Sequence, residues 1–200
     1  MSEVKCSQVL YDTINQNGGI AVMCKTGHGY IKSKMREVGA VLAGEMSGHT
    51  FFKDSYYGFD DAVYAGCRII EVLSEKKKQN PAFKISDMLK PFDAMYCSSE
   101  VRLPCPNSLK TQTLESFQAV IAENPNFFGA EIEDIITIDG MRIVFKNGGG
   151  FALIRQSNTE PVFTLRFEAD SKENAQKYED LMVNKLLEII QNSSKNLAGV

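Results

Sequence analysis

Two short apolar runs, each followed at once by a polar loop that contains glycine, constrain the fold of this chain more than any other feature. The first run is 20–24 (Ile-Ala-Val-Met-Cys), and the loop Lys25-Thr26-Gly27-His28-Gly29 follows it. The second run is 40–43 (Ala-Val-Leu-Ala), and it continues into Gly44-Glu45-Met46-Ser47-Gly48-His49. Short continuous apolar runs are typical of strands that are buried on both faces. Strand, loop and helix in this order predict a parallel α/β layer with right-handed crossovers.

Three helical patterns surround these runs. Ser7–Gln16 is the first, and Asn17-Gly18-Gly19 ends it with residues that tolerate positive φ. The second closes at Gly39 and has apolar residues at helical spacing: Ile31, Met35 and Val38. Asp60 is predicted to cap the third helix. The predicted buried side of that helix consists of four apolar residues: Val63, Ile69, Ile70 and Leu73.

A change in composition predicts a second domain. The stretch from Glu75 to Pro81 is polar, and three more prolines follow by Pro106. We therefore assign residues 1–80 to a first domain, 81–92 to a linker and 93–200 to a second domain. The lysines in this stretch are interpreted as a solvated helix end rather than as a basic binding tract.

The last hundred residues predict an α+β domain in which helices pack on an antiparallel sheet. A helix is expected over Ser108–Glu123, and a hairpin over Ile132–Phe145 around Asp139-Gly140. Strands are predicted at Phe151–Ile154 and Val162–Glu168. The final helix is expected to open with a capping box between Asp170 and Glu173 and to bury one side. That side comprises Ala175, Tyr178, Met182, Leu186 and Ile189.

Composition excludes several classes of function. The chain has 200 residues, with 25 acidic and 22 basic side chains, so no basic excess favours nucleic acid. No run approaches the roughly 18 apolar residues of a membrane span, and Met1–Lys5 lacks the features of a signal peptide. Five cysteines without a C-x-x-C pair indicate reduced thiols. We therefore expect a cytoplasmic, globular protein without nucleic-acid or membrane partners.

The loop Gly44–His49 is the first candidate binding element, because it follows the carboxyl end of a predicted parallel strand. Its carboxylate accepts hydrogen bonds, and its hydroxyl both donates and accepts them, which suits adjacent sugar hydroxyls. The alternative is a capped, glycine-rich turn without a ligand. His28 follows the neighbouring strand, so both histidines of the chain are expected at one edge of the sheet.

The segment 155–159 (Arg-Gln-Ser-Asn-Thr) is the second candidate, with Pro161 at the exit of its loop. A guanidinium, two hydroxyls, an amide and backbone N–H groups in five residues are suited to holding a phosphate. The alternative is a polar β-turn. The triplet Gly148-Gly149-Gly150 precedes a strand and does not match a P-loop.

Several of these segments together resemble a known family. They are Lys25–His28, Gly44–His49 with Phe51-Phe52, Phe59–Asp61, and Arg155–Pro161 followed by Arg166-Phe167-Glu168-Ala169. In this order they resemble the C-terminal half of a phosphomannomutase/phosphoglucomutase of the α-D-phosphohexomutase superfamily. The resemblance runs from about Val4 to the last helix and covers part of domain 3 and all of domain 4. It implies that the first domain is incomplete and lacks strands before its first helix.

The resemblance also implies a function. The family interconverts hexose 1-phosphate and hexose 6-phosphate through a bisphosphorylated sugar, with a phosphoserine in domain 1 and Mg²⁺ held by aspartates of domain 2. Glu45 and Ser47 would bind sugar hydroxyls, and His28 would position the sugar or move a proton. The rest of the sugar site would comprise Lys25, Thr26, Gly27, Met46, Gly48 and His49. The phosphate that is not transferred would be held by Arg155, Ser157, Asn158 and Thr159.

Departures from the family pattern limit what these residues can do alone. Neither the phosphoserine loop nor the aspartate-rich metal loop occurs among the 200 residues. We therefore expect no metal ligand here, no turnover by the chain alone, and a partnership with domains 1 and 2. Asp60 and Asp61 are interpreted as helix capping residues. Glu160 is an unusual carboxylate beside the segment 155–159, which we call the phosphate loop. A stand-alone phosphosugar-binding or regulatory module is the alternative, and a purely structural protein comes third.

Overall fold

The computed structural model describes residues 1–92 and 95–198. The chain divides into two compact units, residues 1–94 and 95–200. The start of the predicted second domain, residue 93, lies outside the described residues. The first unit ends in a 3-10 helix, Ile85–Phe92, within the predicted linker.

The first unit is built on a four-stranded sheet flanked by helices. Its strands are β1 (Ser2–Glu3), β2 (Met23–Cys24), β3 (Leu42–Gly44) and β4 (Thr50–Phe52). Its helices are α1 (Gln8–Gln16), α2 (His28–Val38) and α3 (Ala62–Gln79). The strand order is β2-β1-β3-β4, in which β1 is parallel to both of its neighbours and β4 is antiparallel to β3. The predicted parallel layer with crossover helices is thus confirmed, with one antiparallel edge strand added.

The strand β1 corrects the expectation that no strand precedes the first helix. Its register pairs Ser2 with Met23 on one side and with Gly44 on the other, so it lies in the middle of the parallel strands. Two residues are too short for any periodicity to be visible, and only the pairing with distant strands identifies β1. As a consequence Glu3 is fully buried and sits beside the loops that follow β2 and β3.

The first apolar run is not a strand buried along its whole length, as the sequence predicted. Only Met23–Cys24 pairs in the sheet, whereas Ile20 is 87% exposed. The amide of Ala21 donates to the Asn15 side chain at 3.0 Å, so the start of the run is tied to the end of α1 instead. In the second run, Ala43 is buried, and the residues before it in the run are half-buried or exposed.

The predicted buried side of α3 is also wrong. Val63, Ile69 and Ile70 are exposed, and no residue of this helix is fully buried. The helix contacts the sheet through its other side, where Tyr64 packs edge-on against Phe52 and the Arg68 guanidinium lies 5.0 Å from the centre of the same ring. The core of the unit lies between α2 and the sheet and consists of Cys24, Ile31, Met35, Ala43 and Phe51.

The second unit is an antiparallel sheet packed by two helices. Its strands are β5 (Tyr96–Cys97), β6 (Val101–Pro104), β7 (Ile132–Ile136), β8 (Met141–Phe145), β9 (Phe151–Gln156) and β10 (Val162–Ala169). Its helices are α4 (Asn107–Glu123) and α5 (Lys172–Ala198). The order is β5-β10-β9-β8-β7, and β6 also pairs with β10. The predicted α+β class, both helices and the hairpin at Asp139-Gly140 are confirmed.

Alternation along the strands separates the two faces of this sheet. Phe163, Leu165 and Phe167 of β10 point into the core with α4 and α5 and are fully buried. All five apolar residues predicted for the buried side of α5 are buried as well. The predicted capping box between Asp170 and Glu173 is wrong, because Ser171 is the residue that caps α5: its hydroxyl accepts the hydrogen bond from the Asn174 amide at 3.2 Å.

Among the described residues, none of the helices combines the length and the apolar character that a membrane span needs.

Candidate functional site

The loop Gly44–His49 forms a tight turn between β3 and β4. The Glu45 amide donates to the His49 carbonyl at 2.9 Å, and the Gly48 amide donates to the Glu45 carbonyl at 3.0 Å. Gly48 has φ +92°, which a residue with a side chain rarely adopts. The turn therefore places Glu45 and His49 next to each other at the end of β3, with Ser47 and His49 exposed.

The buried carboxylate of Glu3 ties the two loops of the first unit to the sheet. Its Oε2 accepts from the Thr26 hydroxyl at 2.9 Å and from the Lys5 amide at 2.8 Å. Its Oε1 accepts from the Met46 amide at 3.2 Å. Thr26 and Met46 belong to loops that follow different strands, so one buried side chain fixes their spacing. Sequence reasoning did not single out Glu3, because its contacts are with residues that are distant in the chain.

The Glu45 carboxylate links the same two loops from the exposed side. Its Oε1 accepts from the Gly27 amide at 3.1 Å, and its Oε2 accepts from the Ser47 hydroxyl at 3.1 Å. Each carboxylate oxygen can accept further hydrogen bonds, so Glu45 and Ser47 still offer acceptors in a fixed orientation. Lys25 is exposed, and its ammonium lies 5.7 Å from the centre of the Tyr30 ring.

The two histidines of the chain lie side by side, as their positions after neighbouring strands predict. The centres of the His28 and His49 rings are 4.6 Å apart in an edge-to-face arrangement, and His28 also packs edge-on against the buried Phe51. His28 stands at the first turn of α2, whereas His49 precedes β4. Both rings are partly accessible to solvent, so a ligand at this edge of the sheet can reach them.

Asp60 is a site residue whose role the sequence did not indicate. It was expected to cap α3, but Asp61 performs that role by accepting from the Tyr64 amide at 2.9 Å. Asp60 instead places its Oδ2 at 2.6 Å from His49 Nδ1 and at 3.6 Å from His28 Nε2. Its Oδ1 accepts from the Thr50 amide at 3.3 Å.

The pKa values of the Asp61 carboxyl and of the Cys24 thiol are both shifted by their surroundings. The hydrogen bond from the Tyr64 amide, followed by that from the Tyr56 hydroxyl, lowers the pKa of Asp61. Burial, together with the nearby Glu3 carboxylate, raises the pKa of the Cys24 thiol to about 11. Asp61 is therefore a charged cap, whereas Cys24 is a protonated core side chain.

The second candidate loop belongs to the second unit and follows β9. Arg155 lies near the end of this strand, is 9% exposed, and donates through Nε to Asp139 Oδ2 at 2.7 Å. The ion pair uses Nε, so the two terminal nitrogens of the guanidinium remain for a ligand. Asp139 lies within the turn between β7 and β8, so its ion pair with Arg155 brings this turn beside the loop.

Ser157 organises the backbone of this loop. Its hydroxyl oxygen accepts from the Glu160 amide at 3.2 Å and from the Thr159 amide at 3.4 Å. Because this oxygen accepts, the hydroxyl proton is left to donate to a phosphate oxygen. Asn158 and Thr159 are exposed at the tip of the loop.

Lys110 of α4 is the second residue that sequence reasoning missed. It is only 4% exposed, and its ammonium donates to the carbonyls of Ser157, at 2.8 Å, and Glu160. Glu160, the unusual carboxylate beside this loop, forms an ion pair with Arg102. Three cations, Arg102, Lys110 and Arg155, thus lie around the loop. Three carboxylates partly neutralise them, namely Glu100 and Glu160 beside Arg102 and Asp139 beside Arg155.

Two family models match the chain in succession. Residues 1–92 match phosphoglucomutase/phosphomannomutase alpha/beta/alpha domain III, and residues 100–185 match the phosphoglucomutase/phosphomannomutase C-terminal domain. The chain belongs to the phosphoglucomutase/phosphomannomutase family. The resemblance inferred from the ordered motifs is thereby confirmed.

Individual members of the phosphoglucomutase/phosphomannomutase family show the same similarity. The chain is 43% identical over 171 residues to a phosphoglucomutase of Neisseria gonorrhoeae, which covers 85% of this chain and 34% of that protein. It is 37% identical over 184 residues to a phosphomannomutase/phosphoglucomutase of Pseudomonas aeruginosa, with coverages of 92% and 37%. The chain thus spans about a third of the length of these relatives.

A solved structure shows that the fold is shared as well. The X-ray structure of a phosphoglucomutase/phosphomannomutase family protein from Burkholderia thailandensis has a TM-score of 0.76 and 37% sequence identity. The match covers 94% of this chain and 37% of that one. Two consecutive domains of this family therefore account for nearly all of the 200 residues.

Proposed function

We propose that this chain is the sugar- and phosphate-binding portion of a phosphohexomutase, which interconverts hexose 1-phosphates and hexose 6-phosphates of mannose and glucose. The phosphate loop carries the proposal. Arg155 is held through Nε by Asp139, the Ser157 hydroxyl retains its proton as a donor, and the buried Lys110 adds a positive charge behind the loop. Guanidinium, hydroxyl and backbone N–H groups fixed in advance favour a phosphate dianion.

The sugar site is proposed in the first unit. Glu45 and Ser47 form a hydrogen-bonded pair that offers both acceptors and a donor to two adjacent hydroxyls of a hexose. His28 and His49 lie beside this pair, and the contact of His49 Nδ1 with Asp60 leaves its Nε2 available for a ligand. We assign to these imidazoles the positioning of the sugar and the transfer of a proton to or from a hydroxyl.

Chemistry at the transferred phosphate is proposed to come from parts of the protein outside these residues. In the full-length enzyme, a phosphoserine would donate and recover the phosphoryl group, Mg²⁺ would neutralise its charge, and a hexose 1,6-bisphosphate would be the intermediate. Neither the serine loop nor the aspartate-rich loop occurs in this sequence. The chain alone is therefore expected to bind hexose phosphates without converting them.

Binding is tested by titrating glucose 6-phosphate into the ¹⁵N-labelled chain and following amide shifts by NMR. Arg155→Ala should weaken binding about 10- to 100-fold, because a charge-assisted hydrogen bond contributes roughly 1.5–3 kcal/mol. Arg36→Ala, at an exposed arginine of α2, is the matched control and should bind like the wild type. Equal affinities of the wild type and Arg155→Ala would remove the phosphate-binding assignment.

Turnover is tested separately with glucose 1-phosphate and a coupled assay for glucose 6-phosphate. A rate comparable to that of a full-length mutase would contradict the proposed division of roles. Binding of hexose phosphate without turnover is the expected result.

A further inference from the structure

We propose that His28, Glu45 and His49 form a binding site for a divalent transition-metal cation of the Zn²⁺ class. Each residue offers one ligand atom, and these atoms all lie within 4.8 Å of one another. Two imidazoles and one carboxylate, with a fourth position open to water, are a typical set of zinc ligands. The three residues come from the start of α2 and from both ends of the β3–β4 turn, so the sheet edge itself brings them together.

The ligand atoms of the three residues already lie close to the spacing that a zinc ion requires. Bond lengths of about 2.0–2.1 Å around a tetrahedral zinc ion bring ligand atoms to about 3.4 Å from one another. The three side chains must therefore approach by about 1.4 Å at most, starting from the 4.8 Å limit. His28 and Glu45 are half-buried and His49 is exposed, so none of them is locked in place by complete burial.

Asp60 supplies the outer contact that zinc-binding histidines usually have. Its Oδ2 lies 2.6 Å from His49 Nδ1, so in the proposed site His49 would bind the metal through Nε2. A carboxylate on the far nitrogen of a ligating histidine fixes the tautomer and the orientation of the ring. Together with Glu45, it also places two negative charges beside a doubly charged ion.

Glu45 is likewise oriented before the ion arrives. The Gly27 amide donates to one of its oxygens, and the Ser47 hydroxyl donates to the other. Ligating carboxylates are commonly held by hydrogen bonds of this kind, and each oxygen keeps lone pairs for a metal. The loop is therefore arranged to present a carboxylate, and not only to close a turn.

The ligand chemistry selects the type of ion. Mg²⁺ and Ca²⁺ prefer oxygen ligands, whereas imidazole suits zinc, copper and nickel. The site is thus distinct from a site for the Mg²⁺ that the family uses at the transferred phosphate.

Metal binding does not rest on the proposed function. Only one corollary does, namely that the ion and a hexose phosphate compete for Glu45 and His49.

The experiment exploits the fact that the chain has only two histidines. Zinc chloride is titrated into the ¹⁵N-labelled chain in a buffer without chelators, and the imidazole nitrogens are followed by long-range ¹H–¹⁵N NMR. Both imidazoles should shift, with His49 bound through Nε2 and protonated at Nδ1. Imidazole signals that stay unchanged at saturating zinc would overturn the proposal.

Variants test whether the histidines or the cysteines of the chain hold the zinc ion. Asp60→Asn, which changes the outer contact, should weaken zinc binding roughly 10- to 100-fold. His49→Gln and His28→Gln each remove a metal ligand and should weaken zinc binding at least as much. Cys67→Ser, at an exposed cysteine, is the control and should bind zinc like the wild type. Amide spectra verify that each variant folds. With Co²⁺ as the probe, a thiolate charge-transfer band would show that cysteines hold the ion and would contradict the proposal.

Adding glucose 6-phosphate to the zinc-loaded chain tests the metal site and the proposed sugar site separately. Release of zinc supports the competition. Zinc that stays bound while hexose phosphate fails to bind even to the metal-free chain would leave the metal site standing and refute the sugar site.

Discussion

The ammonium of Lys110, on α4, lies 2.8 Å from the carbonyl oxygen of Ser157, 47 residues further along the chain. The same nitrogen donates to the Glu160 carbonyl, so one buried cation spans both ends of the exposed phosphate loop. Loops of this kind are ordinarily mobile, because few buried groups hold them. Here the core helix itself carries the group that holds the loop.

Replacing Lys110 by methionine should affect both stability and binding. The variant retains most of the side-chain volume but loses a charged donor to two carbonyls, for an expected loss of about 2 kcal/mol in the free energy of unfolding. Inorganic phosphate should bind about 10-fold more weakly, because a cation near the loop is gone and the loop is freed. Chemical denaturation and phosphate titration by NMR measure the two effects. Lys172→Met, at an exposed lysine of α5, is the control, and unchanged phosphate affinity in Lys110→Met would refute the argument.

Glu3 should stabilise the first unit, as Lys110 is expected to stabilise the second. Glu3→Ala removes the acceptor of the Thr26 hydroxyl and of the Lys5 and Met46 amides, so we expect a loss of about 2–4 kcal/mol in the free energy of unfolding. Glu3→Gln keeps one side-chain oxygen as an acceptor and should lose less. Hydrogen exchange of the Met46 amide should accelerate strongly in the alanine variant.

Glu37→Ala provides the comparison for Glu3, since Glu37 is exposed on α2 and forms an ion pair with Lys34 at the surface. Its effect should be within about 0.5 kcal/mol. Equal stability of the Glu3→Ala and Glu37→Ala variants would show that the buried carboxylate does not hold the two loops.

Local chemistry explains which parts of the fold the sequence could predict. Asp139-Gly140 between two alternating runs predicts a hairpin because the turn requires a residue that accepts positive φ, and Gly140 has φ +85°. The spacing of apolar residues in α5 likewise reports burial on one side, since the whole helix packs on one sheet. In both cases the decisive interactions lie within a few residues or repeat along one element.

The remaining features depend on distant partners. Asp60 and Asp61 have identical side chains. Asp60 lies beside His49 because it forms an antiparallel bridge with Phe51 of β4, and the sequence could not show which aspartate caps the helix and which belongs to the site. Lys110 looks like an ordinary surface lysine of α4, because nothing nearby in the chain shows that a loop covers it. The exposed Ile69 and Ile70 follow a valid helical pattern, but the sheet contacts the other side of α3.

Two glycines of one turn should respond very differently to alanine. Gly150 has φ +80°, and a Cβ there would lie 1.9 Å from the Glu168 carbonyl oxygen, so strand β10 would have to move. We expect Gly150→Ala to lower the free energy of unfolding of the second unit by more than about 3 kcal/mol. Gly148 has a similar φ of +72° but nothing within 4 Å of its Cβ position. Gly148→Ala should therefore cost only about 1–2 kcal/mol of backbone strain, and comparable melting temperatures for the two variants would contradict this account.

The cysteines should differ sharply in reactivity with a disulfide reagent such as DTNB. Burial, followed by the hydrogen bond to Glu168, raises the pKa of Cys97 to about 11, and burial raises that of Cys24 to the same range. At pH 8 only about 0.1% of such a thiol is thiolate, which is the reactive form. Cys67 is exposed on α3, so we expect one fast thiol per chain.

The sign of the pH dependence gives a second readout for the same experiment. Below a pKa of about 11 the thiolate fraction rises tenfold per pH unit, so the slow reaction of Cys97 should accelerate by about that factor between pH 8 and pH 9. Cys67→Ser should abolish the fast phase, whereas Cys97→Ser should leave it intact and remove part of the slow one. A fast phase that survives Cys67→Ser would come from one of the four other cysteines, and it would refute the expectation of one fast thiol per chain.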